Sequence, residues 1–144
     1  MVRYLPVEEI VVRLHHEDEL FDVLARLAAT LISGCRLEVS IPLKLENGIT
    51  AFLVGREGKK LLGDVPVIFE SDKDLIKRMT KAGRIRYGAP DRVSYDLLRE
   101  AAKNGLYISR TEVMMEGRIE LLQYFREQSI SHDYHRYGNL GERA

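Results

Sequence analysis

Three groups of residues could carry chemistry in this chain, and each also has an ordinary packing explanation. Cys35 would act as a nucleophile only where neighbours stabilise its thiolate. It follows Gly34 and enters the apolar run "CRLEVSI", which suits a small buried hydrophobe better. His132 and His135 flank Asp133 near the carboxyl terminus. A metal site there would need a sustained helix and another Cys or His nearby, and the sequence has neither, so hydrogen-bonding or interface histidines are the plainer reading. Glu8 with Glu9, Asp72 with Asp74 and Glu116 with Glu120 are spaced like paired carboxylates for acid–base work. All fall at expected surface turns or strand edges, where solvated faces explain them. His15 and His16 precede a helix start and read as solvent-facing cap residues. Met114 and Met115 suit either a soft binding surface or a gap in a core. No combination assembles an active site, and no catalytic, cofactor or metal ligand is assigned.

The elements that would position these residues show a repeated switch from helical to strand period across a glycine. "LISGCRLEVSI" turns at Gly34, "LLGDVPVIFE" at Gly63, "TKAGRIRYG" at Gly83 and "AKNGLYISR" at Gly105, each where a helix would stop on a left-handed residue. Before Gly34, the residues Leu20, Leu24, Leu27, Ala28 and Leu31 form one helical face expected to be buried, with Glu17, Asp18 and Glu19 at its amino end. "SDKDLIKRMTKAG" offers Ser71 as cap and Leu75, Ile76 and Met79 as stripe. "PDRVSYDLLREAAKNG" offers Asp91 as cap and Val93, Leu97 and Ala101 as stripe. The stretch 46–62 leans to helix, although Gly48, Gly55 and Gly58 weaken it. With "EEIVVRL" as opening strand, five strands alternate with four helical connections, which predicts an α/β fold with a mostly parallel, Rossmann-like sheet and flanking helices. After Tyr107, "YISRTEV", "MEG" and "RIELLQYF" predict a projecting hairpin or strand pair, with Leu121, Leu122 and Phe125 also compatible with a helix. The expected organisation is a Rossmann-like domain over 1–113, a β-flap over 114–125 and an extended tail over 126–144.

A parallel sheet binds nucleotides beyond the carboxyl ends of its strands, where a glycine-rich turn admits phosphate to the next helix. Here those turns read "RLHHEDEL", "IPLKLENG", "FESDKDL" and "YGAPDRV". None contains G-x-G-x-x-G, and three of the four place carboxylates where phosphate oxygens would lie. "GREGKK", from Gly55 to Lys60, lacks the spacing and hydroxyl of a Walker motif. The scaffold therefore reads as nucleotide-like but empty.

With 22 basic and 22 acidic residues the whole chain lacks the electrostatic footprint of a nucleic-acid or anionic-membrane binder. Its one cysteine suits a reducing compartment, cytoplasm by default. No run approaches a membrane span, and "MVRYLPVEEIVVRL" lacks the pattern of a signal peptide. Its strand-like character fits a domain boundary at Met1 within a longer chain.

Chain ends are usually polar and loosely ordered, but "REQSISHDYHRYGNLGERA" carries Ile130, Tyr134, Tyr137 and Leu140 with Arg126 and Arg136, residue types enriched at protein interfaces. Extended, it would reach about 60 Å, and Gly138, Asn139 and Gly141 allow a tight turn at its far end. The terminal "GRIELLQYFREQSISHDYHRYGNLGER" resembles the carboxyl terminus of the bifunctional proline utilization A flavoenzymes and of related long 1-pyrroline-5-carboxylate (L-glutamate-gamma-semialdehyde) dehydrogenases. The rest of the chain fits that family in order of elements rather than in motifs.

The resemblance implies a noncatalytic accessory domain, related to the nucleotide-binding fold of aldehyde dehydrogenases, in an enzyme that oxidises the semialdehyde to glutamate with NAD, and with FAD where a proline dehydrogenase part is present. It further implies a flap and tail that pack on the catalytic domain and help close the tunnel between active sites. By position in the motif, it places Arg126, Glu127, Gln128, Ser129, Ser131, Tyr134, Arg136, Tyr137, Gly138 and Asn139 at that interface, in the same or a neighbouring chain. The glutamate base and nucleophilic cysteine of an aldehyde dehydrogenase have no counterpart here, so the lone domain is expected to be inactive. The competing expectations are an independent small α/β enzyme or binding domain using Cys35 or the His132 and His135 pair, and an RNA-binding module using Arg and Tyr of the tail, against which the charge balance tells.

Overall fold

The computed structural model describes residues 2–79 and 83–129. Within them the chain forms β1 (Val2–Pro6), β2 (Glu9–Arg13), α1 (Leu20–Ile32), β3 (Arg36–Ile41), α2 (Gly48–Val54), α3 (Arg56–Leu62) and β4 (Val67–Phe69). It continues with α4 (Asp72–Arg78), β5 (Gly83–Arg86), α5 (Tyr95–Lys103), β6 (Tyr107–Ser109), α6 (Gly117–Leu121) and β7 (Phe125–Ser129). The five central strands lie in the order β4-β3-β2-β5-β6, every pair parallel. This is the expected Rossmann-like α/β sheet, and its order reverses between β2 and β5.

Two apolar layers cover the sheet. Val23 and Leu27 of α1, Leu53 of α2 and Leu62 of α3 pack with Ile10, Val12, Val39 and Ile41 on one face. Leu75 and Ile76 of α4 and Leu97 and Ala101 of α5 pack with Val11, Ile85 and Ile108 on the other. Strand β2 is buried along its whole length, as a central strand covered on both faces must be.

The glycine stops hold at Gly34, Gly63 and Gly105, whose φ values of 79°, 58° and 67° are left-handed. At Gly83 the reason differs: α4 already ends at Arg78, Met79 is extended, and Gly83 is the first residue of β5. The stretch 46–62 is helical but broken at Gly55 into α2 and α3. Gly58 is required where they meet, because a Cβ there would stand 2.2 Å from the Phe52 carbonyl oxygen. Ser71 caps α4 as expected. For α5 the cap is Ser94 rather than Asp91, which belongs to a separate 3₁₀ turn, Pro90–Arg92.

Helix α1 is rotated from its expected pose. It buries Val23, Arg26, Leu27, Ala29 and Thr30, leaving Leu20 and Leu31 44% and 51% exposed. The reason is Arg26, whose charged head is wanted inside by partners the local pattern does not contain. The antiparallel strand pair near the carboxyl end has a different partner from the hairpin expected after Tyr107: β7 pairs with the first strand, β1, in a ribbon running from Val2↔Ser129 to Pro6↔Phe125. Between β6 and β7 the flap is helical: α6 is followed by a 3₁₀ turn, Leu122–Tyr124.

Candidate functional site

The carboxyl ends of the strands are where this fold binds ligands, and here they frame a cleft of about 600 Å³ lined among others by Arg13, His15, Lys44, Asp72, Tyr87 and Arg92. Beside it lies a set of buried arginines. Arg26 reaches from α1 under the sheet's edge, donating to the carbonyls of Arg13 at 3.0 Å and Arg86 at 3.2 Å, the last residues of β2 and β5. Its remaining nitrogens go to the Asp22 carbonyl at 3.0 Å and to Asp18 Oδ2 at 2.7 Å. Burial pulls the Arg26 guanidinium down from its ordinary value, and Asp18 opposes that pull. Asp18 also accepts from the His15 amide at 2.9 Å and from Arg92 at 2.5 Å, with only 1% of its side chain exposed.

The first crossover of a dinucleotide fold would hold pyrophosphate where the strand gives way to the helix. Here the chain's own carboxylate, Asp18, occupies the turn between β2 and α1 and takes the donors an anion would need. The amino end of α1 is closed further by a reciprocal Glu19–Asp22 capping box. The sequence identified the carboxylates at these turns; it did not identify their partners. Three of them do not stand as unpaired repelling charges, because each has an arginine: Asp18 has Arg26 and Arg92, Asp72 has Arg13 at 2.8 Å, and Glu70 has Arg78 at 2.8 Å. Arg13 is held further by Ser40 Oγ at 2.8 Å and the Glu70 carbonyl at 3.0 Å.

A second buried pair secures the flap. Arg86 donates to both oxygens of Glu120, at 2.8 and 3.0 Å, to the Thr111 carbonyl at 2.6 Å and to the Tyr87 carbonyl. Glu120 also accepts from the Tyr124 hydroxyl at 2.8 Å and the Met114 amide at 3.0 Å. The expectation that Glu116 and Glu120 lie on a solvated face therefore fails for Glu120, which is 4% exposed. It fails likewise for Glu9, 8% exposed and paired with Arg36 at 2.9 Å. Neither takes part in a carboxylate dyad.

Cys35 is buried, donates weakly to the Tyr124 carbonyl at 3.3 Å, and has its thiol pKa pushed up by burial, the opposite of an activated nucleophile. His15 is half-buried and its Nδ1 accepts from the Glu17 amide at 3.2 Å, while His16 is exposed; neither side chain caps α1. Met114 and Met115 belong to the surface, 38% and 89% exposed. Of the expected interface residues, Arg126, Glu127 and Gln128 lie exposed on β7, where Gln128 accepts from Arg3 at 2.8 Å, and Ser129 ends that strand. Ser131, Tyr134, Arg136, Tyr137, Gly138 and Asn139, with His132 and His135, lie outside the described residues. Among the described residues no group of three His, Cys, Asp or Glu could hold a metal, and no helix is long and apolar enough to cross a membrane.

No family model matches the sequence, and none of the curated proteins matches it. Among solved structures the chain is similar to Proline Utilization A (PutA) from Corynebacterium freiburgense, with a TM-score of 0.47 and 23% identity over 88% of this chain. It spans 9% of the length of that protein.

Proposed function

We propose that this chain is a noncatalytic carboxyl-terminal accessory domain of an NAD-dependent 1-pyrroline-5-carboxylate dehydrogenase of proline catabolism. In this reading it packs on the catalytic domain through its flap and tail, supports dehydrogenase activity and covers the substrate tunnel. The observation that supports the noncatalytic half is the turn between β2 and α1, where the chain's own carboxylate, Asp18, pairs with Arg26 and Arg92 at the place a pyrophosphate takes in a dinucleotide fold. The family half rests on the terminal "REQSISHDYHRYGNLGER" and its resemblance to the ends of those dehydrogenases. The interface residues are Arg126, Glu127, Gln128, Ser129, Ser131, Tyr134, Arg136, Tyr137, Gly138 and Asn139, and NAD belongs to the catalytic partner.

Buried aromatic anchors carry much of an interface's energy. In the full-length enzyme Tyr137→Ala should therefore lower dehydrogenase turnover severalfold and open the tail to proteolysis. Turnover and protease protection both matching the parent enzyme would end this reading.

A further inference from the structure

The wall of the cleft at the sheet's carboxyl edge carries hydrogen-bond donors that no acceptor of the described residues takes. Tyr87 is 3% exposed and lines the cleft, and its hydroxyl proton finds no acceptor among the described residues. Burial, then the neighbouring Asp72, pushes its phenol pKa up, so that proton stays on oxygen. Ser71 and Ser94 also line the cleft. Each already spends its oxygen as a helix cap, accepting from the Asp74 and Leu97 amides at 3.2 Å, which leaves the hydroxyl hydrogens free. In His15, Nδ1 accepts from the Glu17 amide, which puts the neutral ring's proton on Nε2. Burial, then His16, lowers the pKa of His15, keeping it neutral near pH 7.

The acceptors around the cleft are largely spent. Both oxygens of Glu70 take Arg78, one of them Ser40 as well, and Asp72 takes Arg13. Arg92, the other arginine of the wall, is paired with Asp18 and Asp22. Lys44 is the cation on the wall with no ion pair among the described residues. The remaining wall includes Leu14, Pro42 and Leu45, which are apolar. Tyr87, Ser71, Ser94 and His15 thus turn donors toward the cleft that no acceptor of the described residues takes, and such a wall fits a ligand that brings acceptors and one negative charge on an apolar body.

We propose that this cleft binds a small monocarboxylic acid, its carboxylate taking hydrogen bonds from Tyr87 and His15 and its charge met by Lys44. A phosphate dianion fits less well, because one unpaired cation faces apolar walls. The proposal does not depend on docking to a catalytic domain.

The test is an amide NMR titration of the 144-residue chain with sodium benzoate, alongside benzyl alcohol and inorganic phosphate. Saturable shifts at Leu14, His15, Lys44 and Tyr87, with a Kd on the order of 1 mM and no matching response to the other two probes, are expected. Tyr87→Phe should weaken benzoate about tenfold, the effect of losing a hydrogen bond to a charged group. In the free protein it should leave the amide spectrum away from the cleft unchanged, because the hydroxyl donates to no acceptor of the described residues. Lys44→Ala, at an exposed position, should weaken benzoate without altering the melt. Shifts that never saturate, an equal response to benzyl alcohol or phosphate, or unaltered binding by Tyr87→Phe would each overturn the proposal.

Discussion

The carboxyl edge of the sheet and the flap after β6 both rest on buried arginine–carboxylate pairs, but they present opposite surfaces. At the edge, Asp18 lies at the turn between β2 and α1 and pairs with Arg26 and Arg92. In the flap, the one buried residue of α6 is charged Glu120, while Ile119, Leu122 and Met115 are 44%, 53% and 89% exposed. A short helix normally hides its apolar residues and shows its charged ones. The flap mixes the two: Tyr124, Leu121 and Phe125 pack on the core and Glu120 is matched to Arg86, while Ile119, Leu122 and Met115 remain at the surface. One region has its first crossover filled by its own carboxylate; the other is held in place with apolar side chains outward.

The contrast can be broken most severely at the edge. Asp18→Ala would strand two arginines, one of them fully buried, and should cost about 3–5 kcal/mol in denaturant unfolding. A cost below about 1 kcal/mol would mean the edge is not held together by this carboxylate. In the flap, Glu120→Gln keeps an acceptor for Arg86 but removes the charge, with an expected loss of about 2 kcal/mol and earlier proteolysis between Thr111 and Tyr124. If protease sensitivity stays confined to other parts of the chain, the latch assignment fails.

Glu70 sharpens the picture by pH. Burial works to raise its pKa, but the hydrogen bonds from Arg78 and Ser40 outweigh it and hold the carboxyl below its ordinary value. A depressed carboxyl contributes stability that is complete above its unfolded pKa and is lost as pH falls through the folded one. Glu70→Gln should therefore flatten the acid limb of the stability curve below about pH 4.5 and leave its shape near neutrality unchanged. The smallest effect belongs to Ile119→Ser, expected within about 0.5 kcal/mol because that side chain already meets solvent. A loss above 1.5 kcal/mol would show the stripe to be part of the core.

Local chemistry made much of this architecture readable. Gly34, Gly63 and Gly105 end helices for a reason carried by the residue itself, and β2 reads as a covered strand from five consecutive residues. The inner side of α1 was not readable, because its turns carry apolar residues on more than one side and an arginine normally counts as surface. Arg26 goes inward because Asp18 and the ends of β2 and β5 wait there, the last of them 60 positions away. The flap latch has the same origin: Arg86 and Glu120 are 34 residues apart, and neither position hints at the other. At the candidate site the carboxylates were visible and their partners were not, which turned an argument from repulsion into one from occupancy.

The ribbon of β1 and β7 places Val2 directly opposite Ser129, so both ends of the paired segment leave from one corner. Tension applied between those two points would load the ribbon's cross-strand bonds one at a time, as in a zipper, rather than shearing them together. The ribbon would part at lower force than the five-stranded core, whose strands belong to a separate sheet.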